Sequence, residues 1–182
     1  MGIVDVDDVI AAAQGLGDAG IADPARIAIA GGSAGGWTVL SALARGDAFA
    51  AGISRYGVGD LRALAEDTHD FESRYLDGLV GPLPEASALY AERSPLTRLD
   101  RFAVPLLIEQ GLEDPVVPPS QSEAVRDALA ARGVPHAYLA FEGEGHGFRR
   151  AETVVRTLEA ELAFLGRIFG FETPGVPALE LD

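Results

Sequence analysis

Three short stretches of this chain carry residue types that perform acyl-transfer chemistry together. In residues 27–43, "IAIAGGSAGGWTVLSAL", Ser33 sits in the pattern G-x-S-x-G from Gly31 to Gly35. That pattern marks a sharp strand-to-helix turn, where a serine takes a strained backbone and side chains at the flanking positions would collide with strand and helix. The helix that follows aims its unpaired amides and positive end at the serine, where negative charge develops on a substrate oxygen. A serine hydroxyl is a poor nucleophile until a base takes its proton, and the base needs an orienting carboxylate. For this architecture the chain order is serine, acid, histidine.

The chain has three histidines. His69 lies among Glu66, Asp67 and Asp70 and reads as a solvated residue, and His136, after Pro135 at a strand start, reads as structural. His146, in "EGEGHGF", stands between Gly145 and Gly147 on a loop after a strand, at the end of a parallel sheet where catalytic side chains sit. The acid must come from "LLIEQGLEDPVVPPSQS". Glu113 and Asp114 both qualify by position, and Glu109 less so because it falls inside the strand. Asp114 is favoured, since Pro115 sets the following turn and the shorter side chain holds an imidazole more rigidly.

These residues need a scaffold, and the patterning describes one. Residues 4–16 place Val6, Val9, Ile10, Ala13 and Leu16 on one helical face, with Asp5, Asp7 and Asp8 at the positive helix end. Strands are expected at residues 26–30, 49–54, 104–110 and 136–141, and helices at 34–45, 120–132 and 150–168. In the last helix Val154, Leu158, Leu162, Leu165 and Phe169 form one apolar stripe. Alternating strands and helices predict a parallel sheet with helices on both faces. Residues 55–102 are too long for a plain connection and are expected to arch over the sheet, with helical patterns near 61–66, 71–76 and 85–93. A domain over residues 1–171 and a weakly packed tail over 172–182, broken by Pro174, Gly175 and Pro177, complete the layout.

Composition removes several function classes. With 182 residues, 48% of them hydrophobic, the chain can bury a real core. A net charge of −14 with scattered basic residues argues against a nucleic-acid groove. The apolar runs are far shorter than the ~20 residues that span a bilayer, and the first residues are acidic, so no membrane association and a cytoplasmic location are expected. There are no cysteines, so no thiolate metal site exists. Asp5, Asp7 and Asp8 lack the glycine and glutamate of a calcium loop, and no Gly-Lys-Ser/Thr follows the glycines near Ser33. Neither metal nor cofactor is expected.

"GGSAGGWTVL", "QGLEDPVVPPSQSE" and "FEGEGHGFRR" resemble the three catalytic blocks of the prolyl oligopeptidase family of serine peptidases, particularly bacterial acylaminoacyl peptidases and dipeptidyl aminopeptidases. The resemblance runs from Val4 to Phe171. It implies an α/β-hydrolase fold with Ser33 as nucleophile, Asp114 as orienting acid in place of Glu113, His146 as base and then acid, and the Ala34 amide as an oxyanion donor. It also implies that the segment after the second strand lines a pocket, making Tyr56, Val58 and Phe71 candidates for an apolar wall. The expected substrate is a short peptide or acyl-peptide, with carboxyl esters, or a non-catalytic remnant, as the alternatives.

The family pattern places several strands, a first oxyanion loop and usually a β-propeller ahead of the nucleophile, whereas here about thirty residues precede Ser33. The expectation is an incomplete α/β-hydrolase domain of about four parallel strands, lacking the N-terminal ones. Its strand from Arg26 to Ala30 would then lie at an edge, able to self-associate, and its own activity would be weak.

Overall fold

The structure, a computed structural model, describes residues 1–67 and 74–182. Four parallel strands, β1 (Ala28–Gly32), β2 (Ala51–Arg55), β3 (Leu106–Gly111) and β4 (His136–Phe141), lie in the order β1-β2-β3-β4. Helices α1 (Val4–Asp18) and α2 (Ala34–Leu43) flank β1 in sequence; α3 (Leu61–Asp67), α4 (Tyr75–Leu79) and α5 (Ser87–Arg93) follow β2. Helix α6 (Pro119–Arg132) joins β3 to β4, and α7 (Ala151–Phe169) follows β4. The expected strands all form, with β1 displaced two residues onward because Pro24–Arg26 closes a 3₁₀ turn first. That shift carries β1 through Gly32, directly up to Ser33.

Two apolar cores sandwich the sheet. On one face Trp37, Leu40, Leu106, Ile108, Val125 and Leu129 join α2 and α6 to the strands. The segment after β2 does not merely arch over the sheet, as expected. It sends Leu61, Leu76, Tyr90 and Leu99 into this same core, and the Trp37 indole N–H donates to the Arg93 carbonyl at 3.1 Å. On the other face Ala51, Ile53, Leu107, Ala160, Ala163 and Phe164 pack α7 against β2 and β3.

Helix α7 departs from the sequence expectation. Its buried face is Thr153, Thr157, Ala160, Ala163, Phe164 and Gly166, whereas Val154, Leu158 and Leu162 point outward, Leu158 being 59% exposed. Small residues let the helix approach the sheet closely, and that decides the face over the bulk of the apolar stripe. The tail also differs from expectation. Leu179 is buried in the second core, Arg167 donates to the Leu179 carbonyl, and Asp182 exchanges backbone hydrogen bonds with His136. The tail therefore covers the start of β4. His136 is structural, as expected, with Nδ1 2.9 Å from the Val134 carbonyl oxygen.

Candidate active site

Ser33 stands at the tip of β1, between the strand and α2, with φ 57° and ψ −121°. A non-glycine residue in that region is strained and persists only where its surroundings impose it. Here they do: the Ser33 N–H donates to the Arg55 carbonyl at 2.9 Å, and a Cβ on Gly31 would fall 2.5 Å from the Gly35 carbonyl oxygen. On the helix side the close approach is at Gly36, where a Cβ would lie 2.6 Å from Gly57 Cα, while a Cβ at Gly35 meets no described atom within 4 Å. Gly31 and Gly36, more than Gly35, are the glycines this packing requires.

His146 reaches Ser33 from the loop after β4. Its Nε2 is 2.8 Å from Ser33 Oγ, and its Nδ1 is 2.8 Å from Asp114 Oδ2. The Asp114 side chain is fully buried, and its other oxygen accepts the Val116 and Val117 amides at 2.9 Å each. An ionised Asp114 assigns the Nδ1 proton to His146, leaving the Nε2 lone pair facing the serine hydroxyl. The structure thus brings together Ser33, Asp114 and His146, though they are separated by up to 113 positions. Ala34 opens α2 beside Ser33 and is exposed, bordering a groove of about 770 Å³ lined also by Ile3, Val4, Trp37 and Tyr75.

The pocket candidates fare differently. Val58 is 3% exposed and packs in the core, its place after β2 turning it inward. Phe71, like His69, lies outside the described residues. Tyr56 is at the site in another way: at φ 39° its ring stands edge-on 4.9 Å from His146 and 5.2 Å from Phe148. It braces the imidazole from the side.

Two buttresses were not read from the sequence. Buried Glu144 accepts the Arg149 and Arg150 amides at 3.0 and 2.9 Å, closing the loop that carries His146. Burial raises its pKa, but these amide bonds, the Thr153 hydroxyl and the Arg150 charge reverse that and hold it below the usual carboxylate range. The acidic residue two positions before His146 was its signal. Gln110 accepts the Ser122 hydroxyl at 2.7 Å and donates to the Gly111 and Val117 carbonyls, bracing the turn of Asp114. Gly111 admits the loop, since a Cβ there would lie 2.5 Å from the Glu144 and Gly145 carbonyl oxygens.

The sequence model of the prolyl oligopeptidase family matches residues 1–172. The chain belongs to the prolyl oligopeptidase family. Among solved structures, a puromycin-hydrolyzing peptidase of Mycobacterium tuberculosis superposes with a TM-score of 0.97 at 61% identity, covering all of this chain and 28% of the other. Dipeptidyl aminopeptidase BIII of Pseudoxanthomonas mexicana is 37% identical over 152 residues, 80% of this chain and 22% of the relative. Esterase LipQ of M. tuberculosis is 33% identical over 187 residues, 92% of this chain and 44% of the relative. The chain thus spans about a quarter of the length of the family peptidases it matches. The α/β-hydrolase reading is borne out as a partial domain of this prolyl oligopeptidase family fold, and no helix among the described residues is long and apolar enough to cross a membrane.

Proposed function

We propose that this chain carries the nucleophile, base and orienting acid of a serine peptidase acting on short peptides and aminoacyl amides. The observation that carries the reading is the unbroken hydrogen-bond chain Ser33–His146–Asp114 at a strained strand-to-helix turn. His146 Nε2 takes the Ser33 proton as Oγ attacks the substrate carbonyl carbon, and Asp114 holds the resulting imidazolium. The oxyanion faces the Ala34 amide and the positive end of α2. The imidazolium then gives its proton to the departing amine as the C–N bond breaks, leaving an acyl ester on Ser33, and water attacks that ester with His146 again as base. No metal or cofactor enters. The acidic, cysteine-free composition suits a cytoplasmic enzyme.

The puromycin-hydrolyzing relative, which aligns over the whole chain, makes puromycin, an aminoacyl amide, the substrate to test first. The relationship to an esterase favours a second reading, hydrolysis of carboxyl esters by the same three residues. The intact protein should hydrolyse puromycin and aminoacyl p-nitroanilides, and a fluorophosphonate should label it unless Ser33 is replaced by Ala. Turnover of p-nitrophenyl esters alone would select the esterase reading, and absence of Ser33-dependent labelling would reject both in favour of a non-catalytic domain.

A further inference from the structure

Beneath the site, on the sheet face covered by α7, lies a cluster of charged side chains that the reaction above does not use. Glu109 on β3 is fully buried, with Arg55 of β2 and Leu139 of β4 as its register partners. From α7, Glu161 and Arg156 face it. Arg55 commits itself to Glu161, donating from Nε to Oε1 at 2.5 Å with Nη2 on the same oxygen. Among the described residues Glu109 receives a long contact of that Nε, 3.4 Å from Oε2, and neither of its oxygens accepts a hydrogen bond. Arg156 Nη1 is likewise buried without a hydrogen-bond partner among the described residues.

An ionised Glu109 would be a second buried negative charge beside Glu161: the Arg55 guanidinium is already paired, and Arg156, though it faces the carboxyl, makes no hydrogen bond to it among the described residues. A neutral carboxyl brings its own donor, and the Glu161 carboxylate beside it is the acceptor. Burial and then the Glu161 charge push the Glu109 pKa up to about 9, against the lowering by Arg55 and Arg156.

The backbones of the same residues hold the site. The Arg55 carbonyl accepts the Ser33 N–H at 2.9 Å, and the Glu109 carbonyl accepts the Tyr56 N–H at 2.6 Å. Tyr56 in turn braces His146. We propose that Arg55, Glu109 and Glu161 are positioning residues forming a one-proton lock: a neutral Glu109 shared with Glu161 clamps the ends of β2 and β3 to α7, keeping Ser33 and Tyr56 in register with His146. Loss of that proton sets two carboxylates side by side, with Arg55 committed to Glu161 and Arg156 making no hydrogen bond to Glu109, loosens the strand ends and switches the site off. The activity limb of this inference rests on Ser33 being the nucleophile.

The sign of the stability effect follows from linkage. Unfolded, Glu109 titrates as an ordinary carboxyl; folded, it keeps its proton to about pH 9. Between those values the folded state binds one more proton, so stability falls as pH rises across the window and levels off on either side. The decisive experiment compares the intact protein with Glu109→Gln, which keeps a donor toward Glu161 but cannot ionise. The Tm advantage of the variant should grow steadily from mildly acidic pH to about pH 9. The rate of fluorophosphonate labelling at Ser33 should fall about tenfold per pH unit beyond that point in the parent and stay level in Glu109→Gln. Glu109→Ala, without the shared hydrogen bond, should label several-fold more slowly at every pH, and the Gln variant should restore the rate. In carboxyl-labelled protein near pH 8, the infrared band of a neutral glutamic acid should be present in the parent and absent from Glu109→Gln.

Equal pH dependence of Tm in parent and Gln variant, an unchanged alkaline limb, or absence of the neutral-carboxyl band would overturn the lock. A parent that shows no Ser33-dependent labelling at any pH would instead overturn the hydrolase reading, while Tm and the infrared band still decide the protonation of Glu109.

Discussion

Asp114 has both carboxylate oxygens committed, one to two backbone amides and one to His146, with no exposure of its side chain. Such a group holds both the tautomer and the tilt of the imidazole. Replacing it with Asn substitutes an N–H₂ for one acceptor and favours the tautomer with its proton facing Ser33. Asp114→Asn should therefore lower kcat by about 10⁴ with little change in KM or fold, measured by steady-state kinetics and circular dichroism. A loss below tenfold would count against the orienting role. Ser33, Asp114 and His146 were legible because each leaves a local trace: glycines around the proposed nucleophile and base, a proline after the proposed acid. Tyr56 beside the imidazole and Glu109 buried against Arg55 leave none, since these positions arise from neighbours brought together only by folding.

The elements were visible as periodicities, and the strand edges shifted by at most two residues, those of β4 not at all. The exception that matters is α7. Its bulky stripe of Val154, Leu158, Leu162, Leu165 and Phe169 satisfies helical spacing, yet of these Leu165 and Phe169 alone pack, partly buried, against the core where Ala160, Ala163 and Phe164 sit, and Gly166 is buried beside them. In the 182-residue chain, Leu158→Ser is expected to change stability by no more than about 0.5 kcal/mol. Phe164→Ala, emptying a fully buried site, should cost about 3–5 kcal/mol. Urea titration of the two variants checks the pair, and equal costs would restore the apolar stripe as the packing face. Periodicity reports which residues share a side of a helix; it does not report which side the sheet accepts.

Across the whole molecule the two sheet edges are treated differently. The tail caps the start of β4, whereas β1 has β2 as its one strand partner among the described residues. An open edge of this kind templates pairing, and we propose that the 182-residue chain on its own self-associates through β1. Sedimentation velocity should show a mass that rises with concentration and falls when a proline replaces Ala30, which is exposed on that strand. A constant monomer mass would refute this. The sequence by itself determined the residue types of the site, their chain order and the alternation of strands and helices, because each is written in spacings of a few residues. Only the tertiary structure decided which face of α7 is buried, how the tail closes β4, that Tyr56 rather than Val58 meets the site, and that Glu109 is buried beside Arg55 and Glu161. Those outcomes depend on burial and on distances of a few ångströms between residues far apart in the chain, and no local pattern encodes them.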